Sequence, residues 1–290
     1  MKKTLLSTAL IIGSFAAISL GANKPITGAI SAGWEDYYNY HNLVPTSNVV
    51  GAGATTIGVD LQYEIPSVVN LVANFAQTQL SNSTESVGGM DLSDQSTLFV
   101  GAEGQKWAGL TTSFGYQLTH GGLPGFFANT NKAVKKAKSG ESYYSNSGLD
   151  HQLRFDALYE VKGTGLFFTG GVAYSLHGTQ GWQMNVGAGY KWNVMEQLDL
   201  ILSGDVTFSQ NYMRVYNGNG GTMKYNGTNG YSIALSAPIQ ASESVVITPY
   251  ASVVFAGHNA KGLSQDIAGD NGYYFKDYAL VAGISATWSF

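Results

Sequence analysis

Residues 278–290 read YALVAGISATWSF. Taken two by two, Tyr278, Leu280, Ala282, Ile284, Ala286, Trp288 and Phe290 share one face, and Val281, Gly283, Ser285, Thr287 and Ser289 share the other. A period of two marks an extended strand whose faces meet different surroundings. One surrounding here is apolar; the other accepts small and hydroxyl-bearing side chains. The stretch closes on a bare aromatic residue with no polar tail.

The opposite end carries a different signature. MKKTLLSTALIIGSFAAISLGA places Lys2 and Lys3 ahead of an uncharged apolar run and then small residues, the order of a secretory leader. The expected division is a signal peptide over residues 1–22 and one mature domain over 23–290. No further apolar run long enough for a spanning helix follows, so any membrane residence falls to strands.

Composition agrees with export and argues against several function classes. There are 37 Gly, 18 Tyr, 13 Phe and no Cys, and only 12% of residues are charged against a usual ~25%. With no cysteines the chain holds together by backbone pairing and packing rather than disulfides. Its formal charge of −4 becomes more negative once the leader lysines are lost. A nucleic-acid partner would want a basic surface, so none is expected. No linker, composition break or repeat of solenoid type divides the chain.

The alternation of the last stretch recurs eleven times upstream. Expected strands cover 26–38, 50–65, 68–80, 96–106, 109–120, 150–162, 165–177, 182–194, 198–210, 231–239, 245–257 and 273–290. In GLFFTGGVAYSLH, Leu166, Phe168, Val172, Tyr174 and Leu176 oppose Phe167, Thr169, Ala173, Ser175 and His177. In WQMNVGAGYKWN, Trp182, Met184, Val186, Tyr190 and Trp192 oppose Gln183, Asn185, Gly187, Gly189 and Lys191. Each run is long enough for a tilted strand to cross hydrocarbon, which takes about 9–11 residues. The connections alternate in length. Short turns are expected at 65–67, around Trp107, and at 162–165, 195–197 and 240–243. Longer ones are expected at 39–48, 81–95, 121–149, 211–230 and 258–272, with one tight exception at 178–181.

These residues resemble bacterial outer-membrane β-barrel proteins across essentially the whole mature chain. The resemblance implies an all-β, antiparallel up-and-down barrel of about twelve strands, with short periplasmic turns and longer extracellular loops. It also implies a Gram-negative envelope and contact with outer-membrane lipids. In that class the last strand ends in an aromatic residue with another hydrophobic two before it, recognised by the barrel assembly machinery. Trp288 and Phe290 match; Ser285 stands where the class often has Gly. Closure has a physical cause, because an open sheet edge in lipid leaves N–H and C=O groups unpaired at several kcal/mol each. Interfacial girdles are expected from Trp192, Trp288 and Phe290 at inner ends, and from Tyr37, Tyr38, Trp182, Tyr273 and Tyr274 at outer ends.

Fold alone does not give function, so the inward face has to be read. It carries Asp60, Gln62, Glu64, Glu103, Gln152, Arg154, Asp156, Glu160, Lys162, Lys191, Asp199 and Asp205, among small residues including Gly58, Gly101, Gly115, Gly171, Gly187, Gly189 and Gly283. Small inward residues are expected to leave space, and an excess of carboxylates concentrates cations. The expected role is a porin-like channel passing small hydrophilic solutes with mild cation preference. Asp60, Glu64, Glu103, Arg154, Asp156, Asp199 and Asp205 are its candidate selectivity residues. The alternative is a lumen closed by ion pairs such as Arg154 with Asp156, leaving a structural or surface-binding barrel.

The loop HGGLPGFFANTNKAVKKAKSGESYY holds Lys132, Lys135, Lys136 and Lys138. It resembles the constricting third loop of porins, or is a solvated surface loop. His120, His151 and His177 top three consecutive strands and can approach one another, but their spacing matches no metal motif, and no metal or other cofactor is expected. No nucleophile stands beside both a base and an orienting group, so no enzyme is expected. Monomer and trimer stay open.

Overall fold

The computed structural model describes residues 3–6, 15–18, 26–37, 53–66, 68–80, 93–104, 107–122, 149–177, 181–217, 221–262 and 276–290. Twelve antiparallel strands close into a barrel. They are β1 (Ile26–Glu35), β2 (Ala54–Ile65), β3 (Val69–Leu80), β4 (Ser93–Gly104), β5 (Leu110–Gly122) and β6 (Leu149–Glu160). The remainder are β7 (Leu166–His177), β8 (Trp182–Met195), β9 (Leu198–Asn217), β10 (Gly221–Ser236), β11 (Val245–Ala256) and β12 (Tyr278–Ser289). Consecutive strands pair as neighbours, and a two-residue strand, Ile239–Gln240, bridges β9 to β11 below β10. Outside the barrel, Lys3–Leu6 pairs with Phe15–Ile18.

Closure is made by the stretch read first. β12 pairs with β1 from Gly283↔Glu35 to Ser289↔Ala29. Phe290 N donates to Gly28 O at 2.9 Å, and Gly28 N donates back to Phe290 O at 3.1 Å. At the outer end Ala282 N donates to Asp36 Oδ1 at 2.7 Å, so a side chain continues the ladder where β1 stops. No sheet edge is left at the seam between first and last strands, which is what lipid requires.

The two faces sort by polarity. Along β12, Leu280 is 62% exposed and Trp288 50%, while Val281 is 0% and Thr287 6%. The same division runs round the barrel: Ile57, Val186 and Ile233 point outward and Ser175, Thr207 and Ser252 inward. An apolar outer wall of this extent is unstable in water and suited to hydrocarbon. Trp107, Trp192, Trp288 and Phe290 ring the inner end, with Trp34 and Trp182 near the outer end.

The inner connections are as tight as expected. Between β4 and β5, Trp107 and Leu110 form a bridged pair around Ala108 (φ 49°) and Gly109 (φ 91°). Two central residues with positive φ make the turn whose twist suits a two-residue hairpin. A Cβ on Gly109 would also lie 2.3 Å from Glu160 O.

Two expectations need correction. The segment 211–230 is not a long connection: β9 and β10 continue through it, pairing Met213↔Tyr225 to Asn217↔Gly221, so only 218–220 connect them. Its Gly and Asn residues suggested turns, but tyrosine, methionine and valine at alternate positions support a ladder. Tyr37 is no girdle residue: it packs against inward-facing Tyr250, Val254, Ala279 and Val281, with Lys276 Nζ 3.4 Å from its ring centroid. The rim histidines top neighbouring strands, with His151 opposite His177 in the register. His120 follows buried Thr119 onto the outward face, and His151 pairs there with the Tyr116 hydroxyl. Parity along a strand sends a residue adjacent to an inward one outward. His41, Tyr38, Tyr273, Tyr274 and Lys132, Lys135, Lys136 and Lys138 lie outside the described residues.

Candidate functional site

The lumen wall is assembled by register. Inward side chains of neighbouring strands meet in tiers, because directly opposed residues share a face. On β6–β9 one tier holds Arg154, Ala173, Gln183 and Ser209, and the next holds Asp156, Gly171, Asn185 and Thr207.

Arg154 and Asp156 stand two apart on β6, on one face. Arg154 Nε donates to Asp156 Oδ2 at 2.7 Å and Nη2 to Oδ1 at 2.9 Å, the forked geometry that makes guanidinium–carboxylate pairs strong. Arg154 Nη1 also donates to Gln117 Oε1 at 3.1 Å. Gln117 in turn donates to Gln152 Oε1 at 3.3 Å. Gln152 donates to Asp150 Oδ2 at 2.5 Å and to the Tyr212 hydroxyl at 2.8 Å, and Ser175 Oγ donates to Asp150 Oδ1 at 2.6 Å. Asp150 and Ser175 are fully buried, and Arg154 is 7% exposed. This wall is a connected polar network, as burial of such groups demands.

Asp156 fits because its neighbour on β7 is Gly171, where a Cβ would lie 2.5 Å from both Asp156 Oδ1 and Asn185 Oδ1. Below the Arg154 fork, Arg154, Asp156, Ala173, Gln183, Asn185 and Thr207 line a cavity of about 10 Å³, room for one water-sized molecule. Gln183 Nε2 and Ser209 Oγ are buried here without hydrogen-bond partners.

The other candidate residues fall into two groups. Asp199 pairs with Lys191 on β8 and also accepts from Asn193, at the inner end. Asp205 accepts from Ser232 on β10. On β2–β4, across the barrel, the carboxylates meet amides instead. Asp60 accepts from Asn74, with its Oδ2 buried and unpartnered. Glu103, 3% exposed, is hydrogen-bonded to Asn70, which also stands opposite exposed Glu64 in the register. Asp60, Glu64 and Glu103 form no ion pair with any described residue. The structure therefore brings the seven candidates into one lumen but divides them: a wall on β6–β10 where Asp156 and Asp199 have cation partners and Asp205 a hydroxyl, and an acidic wall on β2–β4 with no ion pair to a described residue. Trp288 and Phe290 lie on the outer face, their ring centroids 5.3 Å apart.

The small inward residues do not open space in the way their size suggests. The Phe99 ring lies over Gly101 and Gly115, Phe167 over Gly189, and Tyr250 over Gly283, each within 2.7 Å of where a Cβ would sit. These glycines are floors under neighbouring rings. Asp150, Gln117 and Tyr212 belong to the same network without standing among the candidates read from the sequence. Asp150 shares parity with Gln152, Arg154 and Asp156, a signal that was present. Tyr212 gave none, since its inward turn depends on a bulge.

No family model and no curated protein matches the sequence. Among solved structures, an outer membrane channel from Pseudomonas putida F1 is similar with TM-score 0.53, at 9% identity over 93% of this chain and 97% of that one. The fold is that of a bacterial outer-membrane β-barrel. The KdgM porin (TM-score 0.46, 6% identity, 90% and 99% covered) and the NanC porin (0.46, 9%, 90% and 98%) are also similar. At such identities the likeness concerns the fold.

Proposed function

We propose that this outer-membrane barrel is a porin-like channel for small hydrophilic solutes with a mild preference for cations. The observation that carries this reading is the acidic β2–β4 wall, where Asp60, Glu64 and Glu103 meet amides and no described cation. Buried carboxylates without a counter-charge are costly unless water or mobile cations reach them. The opposite wall supports a narrow passage rather than a wide one, because the Arg154–Asp156 fork and its neighbours hold one another closely. The unpartnered Gln183 Nε2 and Ser209 Oγ support a wet interior, since buried polar atoms ordinarily find a partner.

The test is single-channel recording of the refolded protein in a planar bilayer under a KCl gradient. Steady conductance with a cation-selective reversal potential is expected, moving toward zero when Asp60→Asn and Glu103→Gln are combined. A fully inserted but silent barrel would overturn the channel reading. It would favour a surface-binding role, for which the paired extension of β9 and β10 is the natural platform.

A further inference from the structure

Lumen side chains usually reach only the next strand; Tyr212 reaches three strands away. It stands on β9, yet its hydroxyl accepts from Gln152 Nε2 on β6 at 2.8 Å and lies 3.4 Å from Asp150 Oδ2, positioned to donate to it. β7 and β8 lie between. Tyr212 is 1% exposed, and Asp150 and Ser175 beneath it are fully buried.

The backbone explains how this is possible. β7 and β8 are joined by the short connection 178–181, so their hairpin ends early while β9 continues to Asn217. The β9–β10 register slips between Ser209 and Met213, and Asn211, a non-glycine residue, takes φ 56°. Asn226 Oδ1 accepts from Asn211 N at 2.6 Å and holds the bend. β9 then passes directly over Gly181, where a Cβ would lie 2.3 Å from Tyr212 N. The bulge re-aims one side chain inward over the end of the β7–β8 hairpin, a known use of bulges at barrel rims. A left-handed asparagine is strained unless its surroundings hold it.

We propose that Tyr212 is the occluding residue of the outer mouth, a latch fastened to Asp150 and Gln152 that decides access from outside to the Arg154–Asp156 tier and its cavity. The proposal rests on the channel reading for its purpose but not for its geometry. Asp150 accepts from Ser175 and Gln152, with Tyr212 adding a longer third contact. Removing the ring opens the space above Asp150 and lets water replace it.

The absence of cysteine from the chain makes a direct test available. Ala173→Cys puts one thiol on the cavity wall, at a position 7% exposed. The reconstituted barrel is treated with a membrane-impermeant thiol reagent, and labelling is timed with Tyr212 present, in Tyr212→Phe and in Tyr212→Ala. Labelling is expected to be slow with Tyr212, severalfold faster in Tyr212→Phe, and about tenfold or more faster in Tyr212→Ala, the scale set by losing a hydrogen bond in a charged network. Tyr212→Phe keeps the ring and so guards against misfolding; each variant is checked for the heat-dependent gel shift of a folded barrel. Fast labelling with Tyr212 in place, or equal rates in all three, overturns the latch. Faster labelling in a barrel that conducts no ions would leave the latch standing and remove the channel reading.

Discussion

Gly28 lies on the outer face beneath the ring of Phe290: a Cβ there would sit 2.6 Å from the ring and 2.9 Å from Asp60 O. Since the backbones of Gly28 and Phe290 also exchange hydrogen bonds, this one contact finishes the seam. Gly28→Val should cost about 1–3 kcal/mol through overpacking. It should lower the folded fraction seen as the heat-dependent gel shift, and Phe290→Ala should relieve part of that loss. Arg154 offers the second test at this level. Arg154→Met leaves the Asp156 carboxylate, with 16% side-chain exposure, facing the cavity without its partner. A loss of about 3–5 kcal/mol in denaturant unfolding is expected, largely recovered by adding Asp156→Leu. If the single and double variants unfold alike, the pair is not buried in the sense described.

The strands divide into those that make the barrel and a pair that exceeds it. β9 and β10 pair from Ile201↔Ser236 to Thr207↔Gly230 inside the wall and again from Met213↔Tyr225 to Asn217↔Gly221 beyond it. A short helical turn at 258–262 supports the base of this extension, where Asn259 Nδ2 donates to Gly227 O at 2.9 Å and to Asn229 Oδ1 at 3.0 Å. Replacing 213–225 by a two-residue turn should leave the closed barrel intact by gel shift, because every wall pairing survives. Loss of folding instead would show that the extension nucleates the wall. Asn259→Ala should loosen the extension alone, raising proteolysis there without altering the barrel's unfolding midpoint.

At the level of the assembled barrel, the distribution of charge matters more than its sum. The seven candidate residues comprise six carboxylates and one arginine: Asp156 and Asp199 have cation partners, Asp205 a hydrogen bond from Ser232, and Asp60, Glu64 and Glu103 gather on β2–β4 with no ion pair to a described residue. Selectivity should therefore respond unequally. Asp60→Asn with Glu103→Gln should shift the reversal potential toward zero, whereas Asp199→Asn alone, one charge at an ion pair on the opposite wall, should shift it less. Equal shifts from both would contradict the two-walled lumen. Field lines focus along the low-dielectric wall that carries unbalanced charge, which is why position decides the effect.

The strand count, the facing of most side chains and the closure of the last strand on the first were legible in the residues alone. A period of two is local, and lipid outside with polar side chains inside enforces it at every step. Lumen membership of Asp60, Glu64, Glu103, Arg154, Asp156, Asp199 and Asp205 followed from the same parity. What stayed hidden depends on residues far apart in the chain. Parity cannot say that Gly115 lies under Phe99, that Asp199 has Lys191 while Glu103 has only Asn70, or that Tyr212 reaches Gln152 sixty positions away. Such pairings are set by register between strands and by one bulge at Asn211, and only the closed barrel brings those partners together.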